Sequence, residues 1–164
     1  MQIAVIDVGG TYIKYACMDE MANIISRGKL PTPLTNRKDF INTIVDIYES
    51  MSDIEGLAIS MTGIIDSERG RCIESVNLKY NNNFDIVNEL GKVISVPITI
   101  ENDAKCAAYA EITRGSLSDV KDAFVMIFGT SIGGTVIKNR EIHRGIHFSA
   151  GEILFLITII DMTK

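Results

Sequence analysis

Ile3-Ala4-Val5-Ile6-Asp7-Val8-Gly9-Gly10-Thr11-Tyr12-Ile13-Lys14 decides how the rest of this chain is read. The run 3–6 is apolar throughout, which fits a buried strand. Asp7 falls near the strand's end. Gly9 and Gly10 make a tight turn with no Cβ in the way, and Thr11 adds a hydroxyl before the chain returns through 12–18. Phosphate recognition needs these parts: bare backbone N–H groups to cradle anionic oxygens, and a carboxylate at the strand's end to hold Mg²⁺ directly or through water. An ordinary Gly-Gly hairpin with a surface Asp fits the same residues, because short Gly-rich matches are weak signals.

The bulk numbers bound the answer. At 164 residues, 46% hydrophobic and 23% charged, the chain buries a core, and it is long enough for one domain or for one domain and part of another. A net charge of −5 argues against a general nucleic-acid or membrane-surface role. Cys17, Cys72 and Cys106 are scattered, without CxxC spacing. They read as reduced, mostly buried thiols of a cytoplasmic protein and not as a disulfide framework or zinc site. The sequence opens straight into a strand with no signal-peptide pattern, and no apolar run approaches transmembrane length.

In chain order, 23–30 reads as a third strand, ended by Pro31 and Pro33. Apolar residues at helical spacing from Phe40 to Met51 make 38–51 an amphipathic helix. The apolar strand 56–61 runs into the turn Thr62-Gly63. A short strand at 70–73, a polar loop at 80–83 and a second amphipathic helix over 84–94 follow. The strand 97–100 leads into Glu101-Asn102-Asp103-Ala104 and an alanine-rich helix to about Arg114, with Asn102 or Asp103 as N-cap. The breaker-rich stretch 115–120 is the expected boundary, giving domains 1–117 and 118–164. The strand 123–128 then closes on Gly129-Thr130-Ser131-Ile132-Gly133-Gly134. A hairpin, 135–138 and 141–143, turns at Asn139-Arg140. Ser149-Ala150-Gly151-Glu152 precedes the apolar tail 153–160.

Strand, Gly-rich turn and strand thus occur twice, over 3–18 and 123–138, an internal duplication. Two phosphate loops suggest a nucleotide held between two halves. There is no GxxxxGK[ST] loop and no GxGxxG opening a helix, so a dinucleotide fold is not expected. Lys14 neutralises phosphate or is a solvated strand lysine. Asp103, at a strand end and helix start, is the candidate base for phosphoryl transfer, or else only a cap. Glu152 reads as a ligand for sugar hydroxyls or as a solvated turn residue. His143 and His147 are four apart, but Arg144-Gly145 and the strand signals argue against a helical metal pair.

The four motifs, Asp7 to Lys14, Glu101 to Ala104, Gly129 to Gly134 and Ala150-Gly151-Glu152, stand in the order and spacing of the ROK family. The chain resembles that family, which contains bacterial sugar kinases and sugar-responsive repressors, over essentially its whole length. The resemblance implies an α/β, actin-like (ribonuclease H-like) ATPase fold, its first lobe complete and its second truncated, binding ATP and Mg²⁺. It implies that Asp7, Gly9, Gly10, Thr11 and Lys14 form the first phosphate motif, with Asp7 toward Mg²⁺. Gly129, Thr130, Gly133 and Gly134 belong to the second. Asp103 is implied as catalytic base, and Asn102, Asp103 and Glu152 as sugar contacts. Gly63 and Asn77 match sugar positions too, although Ser60-Met61-Thr62-Gly63 departs from the family's Ser-x-Pro-Gly.

Two further departures are Ser131 at a usual glycine, and Leu154-Phe155 where many members have Gly-His with a structural zinc. No zinc is expected, as in the branch that includes β-glucoside kinases. The implied activity is ATP-dependent phosphorylation of a sugar hydroxyl. A non-catalytic sugar-binding or regulatory fragment is the alternative, and a repressor is disfavoured by the acidic charge and the lack of a helix-turn-helix before the first strand. A cytoplasmic homo-oligomer is expected that binds neither nucleic acid nor membrane. The tail 153–160 favours β-pairing, so either self-association through residues after about Val120 or disorder of that region is expected, with little sugar phosphorylation.

Overall fold

Alternating burial along β1 (Gln2–Val8) sets the first layer: Ala4, Ile6 and Val8 are buried, while Ile3, Val5 and Asp7 face the other side. The structure is a computed structural model that describes residues 1–128 and 132–153. β2 (Tyr12–Asp19) and β3 (Ile24–Pro31) follow as antiparallel neighbours. The expected helix is α1 (Arg37–Glu49), where the Asn36 side chain caps the start by accepting the Asp39 N–H at 2.9 Å. β4 (Gly56–Met61), β5 (Ile64–Asp66), β6 (Arg71–Glu74), α2 (Ile86–Leu90) and β7 (Ile98–Asn102) complete this part.

The five-stranded sheet has the order β3-β2-β1-β4-β7, with β4 parallel to β1 and β7 parallel to β4. Its buried face carries Ala4, Ile6, Val8, Ile13, Leu57, Ile59, Met61 and Ile100. These pack with Phe40, Ile44 and Ile47 of α1 and with Ile86 and Leu90 of α2. Each of these side chains larger than alanine contributes roughly 1.5–3 kcal/mol by leaving water.

The second amphipathic helix is much shorter than the expected 84–94. Phe84 is held in a β-bridge with Cys72, through bonds of 3.0 and 3.1 Å, so its backbone is not free to be helical. Gly91 is the C-cap, and turns carry the chain to Ile94, which stays buried. β5 gives no sequence signal, since three residues are too few for periodicity. It forms because β6 pairs with it, and because the Asp66 carboxylate accepts the Arg69 N–H at 3.0 Å, fixing the turn between them.

The chain divides into two compact units, one ending at Asn102 and the other beginning at Asp103. The second opens with α3 (Asp103–Arg114) and continues with β8 (Ala123–Phe128), β9 (Ile132–Lys138) and β10 (Glu141–His143), an antiparallel sheet of order β10-β9-β8. Ala108 and Ile112 of α3 pack on Ile137 and Ile142. Asn139 and Arg140, at φ 54° and 66°, make the two-residue turn that suits a hairpin. The Arg140 guanidinium donates to the Ile112 carbonyl in the last turn of α3 at 3.4 Å and to Ser118 O in the connection that follows, tying the hairpin turn to both. β9 starts at Ile132 and not at Thr135, so Gly133 and Gly134, expected in a loop, are strand residues paired with Ile127 and Met126.

Candidate functional site

The sheet of the first unit brings three polar side chains level. Asp7 on β1 is registered with Ser60 on β4, and Ser60 with Glu101 on β7, all near the carboxyl ends of adjacent parallel strands. Open α/β sheets bind ligands at such ends. The Ser60 hydroxyl donates to Asp7 Oδ1 at 3.1 Å, and Lys14 Nζ lies 3.7 Å from Oδ2. Lys14 is the cross-strand partner of Asp7. Both side chains are well exposed, so their attraction contributes at most about 1 kcal/mol; its effect is to place charge beside the turn. A half-exposed carboxylate with an open approach fits Mg²⁺ held by one carboxylate together with phosphates and water.

The turn after Asp7 is braced. Gly9 N–H donates to Tyr12 O at 3.1 Å. The Thr32 hydroxyl donates to Gly9 O at 2.8 Å, and its N–H to Thr11 O at 3.0 Å. Thr32 is buried, and nothing in its sequence context marks it. A Cβ on Gly10 would stand 3.1 Å from the Asn77 amide nitrogen, so this turn and Asn77 are neighbours. Gly63 and Asn102 also meet: the Asn102 amide donates to Gly63 O at 3.0 Å, and Asn102 is buried. Gly63 has φ +120°, and a side chain there would strike Glu74 O at 2.4 Å, so the position requires glycine.

In the second unit, Asp103 opens α3 and its Oδ1 accepts the Ala104 N–H at 2.9 Å. Two residues on, Lys105 is fully buried and its Nζ lies 3.2 Å from Glu152 Oε1. The sequence pattern does not single out Lys105. Burial pushes the Glu152 carboxyl up from its ordinary value, Lys105 pulls it back, and Asp103 adds a smaller upward push. Glu152 is therefore not a solvated turn residue. Gly133 and Gly134 are glycines for close packing. A Cβ on Gly134 would meet Gly151 O at 2.5 Å, and one on Gly133 would lie 2.9 Å from the Ile127 side chain and 3.2 Å from Ala104 Cβ. Gly129 and Thr130 lie outside the described residues.

His143 sits on β10, and His147 follows a turn at Gly145 with φ +69°. Among the described residues, no group of three or more His, Cys, Asp or Glu is arranged to hold a metal, and no helix is long and apolar enough to cross a membrane. Cys72 is a buried thiol whose pKa burial pushes up to about 11, which makes it unreactive.

The sequence model of the ROK family matches residues 3–156. The chain belongs to the ROK family. This ROK chain is 29% identical over 157 residues to a glucokinase of Halalkalibacterium halodurans, covering 90% of this chain and 47% of that one. It is 27% identical over 158 residues to a beta-glucoside kinase of Klebsiella pneumoniae, covering 96% and 53%. Among solved structures it is similar to a ROK family glucokinase from Streptomyces griseus in complex with glucose and AMPPNP, with TM-score 0.84, 25% identity, and 93% and 49% coverage. It is also similar to a ROK family protein from Streptococcus pneumoniae in complex with sucrose, with TM-score 0.80, 32% identity, and 93% and 51% coverage. The fold is thus the actin-like α/β fold of ROK sugar kinase structures. The ROK chain spans about half the length of the curated relatives it matches.

Proposed function

We propose that the protein is an ATP-dependent sugar kinase of ROK type, which transfers the γ-phosphate of ATP to a sugar hydroxyl. The observation that carries this reading is the convergence at the ends of β1, β4 and β7. Asp7 with its braced glycine turn, Gly63 and Asn102 stand there, and Asp103 follows Asn102 in the chain. Kinases of this kind need little covalent chemistry from the protein; they position groups and neutralise charge. In this reading the N–H groups around Gly9, Gly10 and Thr11 receive phosphate oxygens and Lys14 offsets their charge. Asp7 would hold Mg²⁺, which when bound neutralises phosphate charge. Gly129, Thr130, Gly133 and Gly134 belong to the second phosphate motif. Gly63, Asn77, Asn102 and Glu152 orient the sugar. Asp103 accepts the proton as the hydroxyl oxygen bonds to phosphorus and ADP leaves.

The lobe division at 117/118, a cytoplasmic location and a homo-oligomeric state belong to the same reading. A second reading is a non-catalytic sugar-binding or regulatory fragment, in which Asn102, held to Gly63 O, and Glu152 bind sugar.

An ADP-release assay with ATP, Mg²⁺ and D-glucose or a β-glucoside separates them. Asp103→Asn keeps the acceptor for the Ala104 N–H, so the melting temperature should hold while turnover drops at least about a hundredfold. Retained turnover removes Asp103 as base. Sugar binding without ADP release in the parent chain selects the second reading.

A further inference from the structure

Lys105 is an unusual residue to find with no exposed surface. It sits in the first turn of α3, two residues after Asp103, and its ammonium reaches a carboxylate 47 positions away in sequence. The Glu152 side chain is itself only 12% exposed. Its backbone is fixed as well: Glu152 N–H donates to Ser149 O at 3.1 Å, Ala150 N–H to Arg144 O at 3.0 Å, and Gly151 turns at φ +90° against Gly134 and Thr135 of β9. A buried ammonium is costly to desolvate unless a carboxylate meets it. A brace for this loop needs no such charge, since an apolar side chain of similar volume holds packed surfaces as well.

We propose that Lys105 is a positioning residue: it holds the Glu152 carboxylate in the charged form and in place beside the first turn of α3. The inference rests on the sugar-kinase reading for its purpose, because a charged carboxylate accepts hydrogen bonds from two sugar hydroxyls, whereas a protonated one gives up an acceptor oxygen. Among the described residues, two charged groups face Glu152, Lys105 and Asp103, both from α3. The β9 segment packed on Gly151 offers Gly134 and Thr135, which do not titrate. Removing Lys105 leaves burial and Asp103 acting together, and both favour the protonated form.

The test uses the whole chain with Lys105→Met and Lys105→Arg. Side-chain carboxyl NMR, with Glu152→Gln to assign the Glu152 signal, reads the titration directly and needs no sugar. The Glu152 midpoint should rise by at least about one pH unit in Lys105→Met and stay near the parent value in Lys105→Arg. D-glucose affinity of Lys105→Met should fall below that midpoint and recover above it, while the parent stays flat over the same range. An unmoved midpoint in folded Lys105→Met overturns the proposal. If Lys105→Met does not fold, the double variant Lys105→Met with Glu152→Gln should regain stability, since no unpaired charge remains; equal instability of both overturns the proposal. A shifted midpoint in a chain that binds no glucose upholds the hold of Lys105 on Glu152 and removes the sugar reading instead.

Discussion

The turn at Gly9-Gly10 and the strand carrying Gly133-Gly134 look alike in sequence, yet they use glycine for different ends. In the first unit the glycines lie between paired strands, where Thr32 ties down two turn carbonyls and Asn77 stands beside Gly10. In the second they are inside β9, and the missing Cβ lets the Gly151 segment approach the sheet's backbone. One pair turns the chain at the carboxyl end of β1, the kind of position at which open α/β sheets bind ligands; the other lets the loop bearing Glu152 close on β9. The supporting cores differ too. The first unit has helices packed on a five-stranded sheet, while the second has a single helix on three strands among the described residues.

Stability should separate the two glycine pairs most sharply. Gly134→Ala places a Cβ 2.5 Å from a backbone oxygen and 2.7 Å from the Phe124 ring, and overpacking of this kind costs about 1–3 kcal/mol. Gly10→Ala meets only a movable amide at 3.1 Å. It should change stability by less than about 1 kcal/mol while weakening nucleotide binding. Denaturant melts of the two variants check this, and equal losses would break the distinction.

A smaller effect concerns pH. The folded carboxyl of Glu152 is raised above its unfolded value near 4.5, so the folded state binds this proton more tightly. Its contribution to stability is full below the unfolded value and is lost as pH rises through the folded one. Glu152→Gln should remove that part of the decline from a plot of denaturation midpoint against pH. An unchanged slope would place Glu152 in water. The smallest stability effect belongs to Phe128→Ser. This side chain is 74% exposed on β8, so the change should stay near ±0.5 kcal/mol. Light scattering should nonetheless show less self-association than in the parent, and an identical mass would remove β8 as the contact.

Most elements are legible in the sequence because their burial is periodic. β1, β2, β4 and α1 each bury one face, and the residues that do so recur at the spacing that strands and helices impose. Asp103 at the start of α3 is legible for a related reason, since an apolar strand followed by Glu-Asn-Asp and alanines marks the junction. Tertiary contact decides the rest. Phe84 carries a helical pattern, but its bridge to Cys72 overrides it, and β5 exists only because β6 and the Asp66 turn are there to pair it. Lys105, within Ala-Lys-Cys-Ala-Ala, is not singled out by the sequence pattern. Only the fold brings Glu152 to it, because a charge's partner is chosen by distance in space and leaves no periodic trace along the chain.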